Sequence, residues 1–337
     1  RAAPVILCET YQAQSPFKRA LVINSGNANA GTGEEGMKNA ITMAEKTAAL
    51  LGVDKNEVFV ASTGVIGEQL PIEKIEKGLA TIIPRLSATG GVEAAEAIRT
   101  TDTFTKSCAV TITIEGVPVT IGGMAKGSGM IHPNMATMIG AVTTDVNITP
   151  EILEELFKAS ILYSYNMISV DGDTSTNDAA FLFCNQRAEH SLIDSKTHPG
   201  YKSFKEALDY VQQTLAKMIA KDGEGATKMI EATIEGAKNS EDARAAAKAI
   251  ITSSLVKTAI FGEDGNWGRI LSSVGNSSAE FSPENVKAWI SSSKGSVQIV
   301  EKGRGILEDE VLLANILKAN TIIIRLHLGE GDSRATA

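Results

Sequence analysis

Ala20-Leu21-Val22-Ile23-Asn24 runs straight into Ser25-Gly26-Asn27-Ala28-Asn29, and the reading of the fold turns on this stretch. A short apolar run bounded by Ser, Gly and Asn predicts a strand that ends in a turn. Beyond it, Met37, Ile41, Ala44, Ala48 and Leu51 recur at helical spacing, and Gly52 can close that helix in the left-handed conformation. A second strand is expected over Glu57 to Ala61, ending at Ser62-Thr63-Gly64. Pro71 then suits the first turn of a helix with Ile72, Ile75 and Leu79 on one face. Strands alternating with helices in this way predict the α/β class, a mixed α+β arrangement.

The rest of the chain continues the alternation. Val110 to Ile114 has period two, Glu115-Gly116 makes a turn and Val117 to Ile121 returns, which reads as a hairpin leading into the glycine-rich Gly122 to Gly129. Helices are expected over Thr149 to Leu162, Phe204 to Ile219 and Ser240 to Leu255, and strands near Ala180 to Cys184, Met229 to Ile234 and Thr321 to Leu328. The glycine cluster in Lys221-Asp222-Gly223-Glu224-Gly225 separates two patterned regions. Residues 1–225 are therefore expected to form one α/β region and 226–337 a smaller C-terminal α/β domain.

Composition narrows the function. At 337 residues the chain can bury a large core, and 43% hydrophobic with 21% charged residues argues against disorder. A net charge of -8, with no block of Lys and Arg, argues against a nucleic-acid partner. No apolar run is long enough to span a bilayer, so no membrane partner is expected. Cys8, Cys108 and Cys184 are far apart and form no CxxC pair, which fits a reducing cytoplasm. The chain starts at Arg1 without a methionine, so further residues of the natural protein are expected before it and after Ala337.

Several familiar chemistries are excluded by spacing. Lys126 follows Ala125 and precedes Gly127, unlike the lysine of a phosphate-binding loop. His132, His190, His198 and His327 have no short ligand spacing, so no metal is expected, and no other cofactor is indicated. Gly127-Ser128-Gly129 lacks the spacing of a serine nucleophile elbow. What remains is Gly129-Met130-Ile131-His132-Pro133-Asn134-Met135-Ala136-Thr137-Met138-Ile139-Gly140, where a proline-containing turn delivers a threonine into an apolar run. By composition alone this is a turn entering a buried strand.

The segment Lys126 to Met138 closely resembles the self-cleavage motif of the ornithine acetyltransferase, or arginine-biosynthesis bifunctional, family. The resemblance extends through Asn24 to Ala30, Ala61 to Gly67, Thr100 to Thr103, Asp222 to Lys228, Phe261 to Asp264 and Asn266 to Arg269, in the family's order. It implies a self-processing layered α/β sandwich that cuts the Ala136–Thr137 bond. The two fragments would stay together as an αβ pair, with two such pairs in a heterotetramer. Thr137 would then supply both a hydroxyl nucleophile and, as base, an α-amine whose reference pKa is about 7.7 to 8.0.

The same resemblance implies acetyl transfer from N-acetylornithine to glutamate through acetylated Thr137, with acetyl-CoA as a possible further donor substrate. It places Thr63 and Gly64 at the oxyanion, and Thr100, Lys126, Thr137 and Glu224 on substrate. Lys126 can pair with a carboxylate, Glu224 with an ammonium, and Thr100 can donate or accept a hydrogen bond. Members of the family continue beyond the Gly331 to Ala337 region into a tail with further substrate contacts. Two other readings stay open: a self-processed N-terminal-nucleophile amidohydrolase or aminopeptidase, and a noncatalytic amino-acid-binding protein.

Overall fold

In the computed structural model, which describes residues 1–132, 138–306 and 309–337, helix α1 (Ala3–Gln14) leads into strand β1 (Ala20–Asn27) and helix α2 (Gly33–Leu51). The left-handed residue that ends α2 is Gly52, at φ 70°, whose N–H returns to the Ala48 carbonyl. Strand β2 (Val58–Val65) pairs parallel to β1, and helix α3 (Ile72–Ile82) follows Pro71. The sequence suggested that β2 ends at Ser62. Pairing of Ser25 with Thr63 and Gly26 with Gly64 instead carries the strand through its turn-like residues, because a partner strand outweighs local composition.

Helix α4 (Gly91–Ala97) precedes the hairpin of β3 (Lys106–Ile114) and β4 (Val117–Lys126), which turns at Glu115 and Gly116, both at positive φ. The glycine-rich stretch is thus strand up to Lys126. Strand β5 (Ile139–Thr144), helix α5 (Pro150–Leu162), strand β6 (Ala179–Cys184) and helix α6 (Pro199–Lys221) complete this part, with the sheet order β3-β4-β5-β6 and β5 parallel to β6. Helix α6 begins earlier than its apolar face suggested, because Pro199 occupies the first turn and the His198 ring accepts the Gly200 N–H as a cap.

These elements build one unit, residues 1–161 and 173–222, in four layers. Strand periodicity explains the layering. Val58 and Val60 face Leu7, Tyr11, Met43, Ala44 and Leu79 of the helices, while the alternate residues Phe59 and Ala61 face Ile139, Phe181 and Phe183 of the second sheet. Phe59 lies 5.1 Å from Phe181 and 6.1 Å from Phe183 between ring centroids, tilted and edge-on, and each such pair contributes about 0.5–1.5 kcal/mol beyond its buried area. Helix α6 covers the outer face of the second sheet: an added Cβ at Gly123 would meet Leu215, and one at Gly127 would meet Ile219.

The other unit comprises residues 162–172 and 223–337. It contains β7 (Met229–Ala237), α7 (Ser240–Thr252), α8 (Ser254–Phe261), α9 (Trp267–Gly275), β8 (Lys287–Ser292), β9 (Gly295–Glu301), β10 (Arg304–Gly305), α10 (Glu310–Leu317), β11 (Thr321–His327) and β12 (Ser333–Thr336). Its strands form a sheet in the order β10-β9-β8-β11-β7-β12, packed against the helices in one apolar core. The expected helix from Ser240 to Leu255 is broken at Ser253, whose hydroxyl accepts the Val256 N–H and so caps a new helix. The short segment 162–172 belongs here because Met167 enters this core and Lys257 donates to the Ser169 and Val170 carbonyls. Among the described residues, no helix is long and apolar enough to cross a membrane.

Candidate active site

Polar groups gather where the parallel pair β1–β2 ends, the end of parallel strands at which open α/β sheets generally bind ligands. Here asparagines replace the missing ladder. Ser62 Oγ donates to Asn24 Oδ1 at 2.6 Å, Asn27 Nδ2 donates to the Glu68 and Gln69 carbonyls, and Asn177 Nδ2 donates to the carbonyls of Ala28 and, at 3.0 Å, Ser62. Gly64, at φ 131°, lets β2 approach the backbone of Gly26 and Asn27 more closely than any side chain would allow.

Thr63 and Lys126 meet at this end. The buried Lys126 Nζ donates to Thr63 Oγ1 at 3.1 Å. An ammonium only donates, so the Thr63 hydroxyl accepts here and its own hydrogen is directed to another acceptor. That leaves Thr63 able to donate to an oxygen on which negative charge develops.

Below Lys126 lies a buried ion group. Lys106, fully buried, places Nζ 2.6 Å from Asp102 Oδ1 and 2.6 Å from Asp222 Oδ2. Asp102 also accepts N–H groups from Gly127 at 2.8 Å and Thr100 at 3.1 Å. Asp222 accepts from the Thr103 N–H at 2.9 Å and from the Thr103 hydroxyl, and its carbonyl takes Ser128 Oγ at 2.6 Å. Burial pushes both carboxyls up, but hydrogen bonds outweigh it and hold both below the ordinary value. Those bonds come chiefly from Gly127, Lys106 and Thr100 for Asp102, and from Lys106 and Thr103 for Asp222.

Asp178, just before β6, behaves in the opposite way. Burial pushes its carboxyl up to about 8, against the opposing charge of Lys126 and a hydrogen bond from the Met138 N–H. Its Oδ2 is buried without a hydrogen-bond partner among the described residues. The unfolded carboxyl ionises near 3.8, so from about pH 4 to about pH 8 the folded chain holds a proton that the unfolded chain has released. Stability should therefore fall as pH rises through that window, by up to a few kcal/mol. Urea unfolding at several pH values is expected to show a smaller decline for Asp178→Asn than for wild type; parallel curves would refute the assignment.

Of the residues singled out from sequence, Thr63, Gly64, Thr100 and Lys126 lie in the first unit. Lys126 touches Thr63, while Thr100 is joined through its N–H to the Asp102 carboxylate that also holds Gly127. Glu224 is exposed and stands at the start of the 223–337 segment of the other unit. Ala136 and Thr137 lie outside the described residues. Sequence reasoning assigned no role to Asp102, Lys106, Asp178 or Asp222. Asp102 and Asp222 lay inside quoted motifs, but nothing local marked Lys106 as their buried partner.

A layered α/β unit with hydrogen-bond donors gathered at the end of a parallel strand pair is an α/β protein of the kind that can host an enzyme site there. The model of the ArgJ family matches residues 1–337. The arginine biosynthesis bifunctional protein ArgJ of Caldanaerobacter subterraneus subsp. tengcongensis is 50% identical, over 100% of this chain and 83% of its own length. ArgJ 1 of Clostridium acetobutylicum is 48% identical over 100% and 82%. A crystal structure of ArgJ from Bacillus halodurans aligns with a TM-score of 0.56 at 37% identity, covering 60% of this chain and 92% of that one. The chain belongs to the ArgJ family.

Proposed function

We propose that this chain transfers an acetyl group from N-acetylornithine to glutamate in arginine biosynthesis, through an N-terminal Thr137 freed by self-cleavage after Ala136. The observation that carries the reading is the contact of Lys126 with Thr63 beside Gly64 at the end of β2, in a member of the ArgJ family. In the first half-reaction the Thr137 hydroxyl attacks the acetyl carbonyl and its proton passes to the Thr137 amine. The resulting oxyanion is met by the Thr63 hydroxyl and the Gly64 N–H. Collapse breaks the amide bond, the amine returns the proton to the leaving nitrogen, and ornithine departs.

In the second half-reaction the amine of glutamate attacks the acetyl ester, and N-acetylglutamate leaves with Thr137 restored. Lys126 pairs with a substrate carboxylate, Glu224 with an ammonium, and Thr100 supplies a hydrogen bond. The name "bifunctional" carried by the relatives supports acetyl-CoA as a second donor substrate. We further propose a cytoplasmic enzyme made of its two fragments as an αβ pair, assembled two pairs together.

Acceptor dependence tests the reading against hydrolysis. Ornithine release from N-acetylornithine is expected to be low alone and to rise at least about tenfold on adding glutamate, with N-acetylglutamate formed in equal amount. Free acetate released at a rate indifferent to glutamate would instead make the chain an amidohydrolase. Binding without turnover in either assay would make it a noncatalytic amino-acid-binding protein.

A further inference from the structure

We infer that Lys106 is a positioning residue for substrate capture: by neutralising Asp102 it keeps the Lys126 ammonium directed to Thr63 and to a substrate carboxylate. This rests on the acetyl-transfer reading above. Lys106 opens β3 opposite Ala125, the residue before Lys126 on β4. Its Nζ joins two carboxylates that between them hold the backbone of Thr100, Thr103 and Gly127. One buried cation therefore organises Gly127, next to Lys126, and the chain from Thr100 to Thr103.

The charge balance gives this arrangement its function. Asp102 and Asp222 carry two negative charges against one on Lys106, and Lys126 is the further cation acting on Asp102. With Lys106 in place, Asp102 Oδ1 is already occupied by a close ammonium and by the Gly127 N–H. Without it, Asp102 becomes a buried carboxylate short of a counter-ion; Arg99 is held on the Asp102 carbonyl, so Lys126, whose charge already acts on the carboxylate, is the cation drawn to it. Lys126 would be drawn from Thr63, and an incoming carboxylate would have to compete with Asp102 for it. N-acetylornithine and glutamate both carry a carboxylate, so both half-reactions should lose binding.

Lys106→Gln tests this by removing the charge while leaving a shorter side chain that can still donate hydrogen bonds. The variant is expected to be processed into two fragments as wild type is. KM should rise about tenfold for both substrates, with kcat within about threefold, as befits a loss of binding that ground state and transition state share. Adding Asp102→Asn removes the competing carboxylate, so K106Q/D102N should recover most of the lost KM. A merely structural role would make the double variant no better than the single one. An unchanged KM in K106Q, or a double variant as impaired as the single, overturns the inference.

Should K106Q fail to accumulate, D102N and K106Q/D102N provide the same comparison. Their KM values should agree within about threefold, because the carboxylate that competes for Lys126 is Asp102, while Asp222 keeps its Thr103 donors, and a KM about tenfold higher in the double variant overturns the inference. Wild-type chain without glutamate-dependent turnover would end the acetyl-transfer reading and this inference with it. Glutamate-dependent wild-type turnover alongside an unaffected K106Q would overturn the role of Lys106 alone.

Discussion

Thr137→Ala is expected to leave the chain in one piece and to abolish glutamate-dependent release of ornithine, by at least about 10³-fold. The effect is large because the proposed mechanism gives one residue two tasks. The hydroxyl that would attack the Ala136 carbonyl during processing is the same hydroxyl that would accept the acetyl group. The α-amine that would serve as its base exists only once the bond before Thr137 is cut. Alanine would remove the proposed nucleophile directly and the proposed base indirectly, so no partial mechanism would survive. Thr137→Ser keeps a hydroxyl and should still be cut, at the same bond. Intact mass and N-terminal sequencing of freshly purified protein decide the matter. Two wild-type fragments, one beginning at Thr137, with a single-mass Thr137→Ala is the expected pattern. A Thr137→Ala chain that still splits, or a wild type that stays whole while turning over substrate, would remove the free-amine mechanism.

What the sequence disclosed depended on how local each feature is. The β1–α2–β2 order was legible because Met37, Ile41, Ala44 and Ala48 make a helical stripe between two apolar runs, and Met43, Ala44 and Ala48 do reach the core. The end of β2 was not, since Ser62, Thr63 and Gly64 have turn composition and become strand only by pairing with β1. The β8–β9 hairpin escaped notice although Ala288 and Ile290 on one strand and Val297 and Ile299 on the other are buried in alternation, because serines and Lys294 between them read as loop. The same division holds at the site. Thr63, Gly64 and Lys126 stood out through contiguous motifs. Lys106 did not, because a lysine is ordinarily solvated and one of its two carboxylate partners comes from residue 222, across the length of the unit. Asp178 gave no local signal for a similar reason: its perturbation comes from burial, which the residues beside it in sequence do not announce.

Gly64→Ala should be the most damaging single change in the described part of the site. Gly64 sits at φ 131°, where an L side chain is strained in any surroundings. The surroundings are also closed. A Cβ there would stand 2.2 Å from the Gly26 carbonyl carbon, 2.5 Å from the Asn27 nitrogen and 2.6 Å from the Gly26 oxygen. All three are backbone atoms of the paired strand and cannot rotate aside, so relief requires β1 and β2 to separate where Thr63 is held. The separation would move the Gly64 N–H and the Thr63 hydroxyl together, and loss of even one oxyanion donor typically costs on the order of 10²–10³ in kcat. Strand separation adds a destabilisation of a few kcal/mol. Gly67→Ala separates strain from position, since Gly67 is at φ 84° with open space around its would-be Cβ. It should lower the melting temperature modestly and keep kcat near wild type. Melting curves and steady-state rates on both variants therefore measure different things: a Gly64→Ala chain with kcat close to that of Gly67→Ala would mean that the end of β2 takes no part in stabilising the oxyanion.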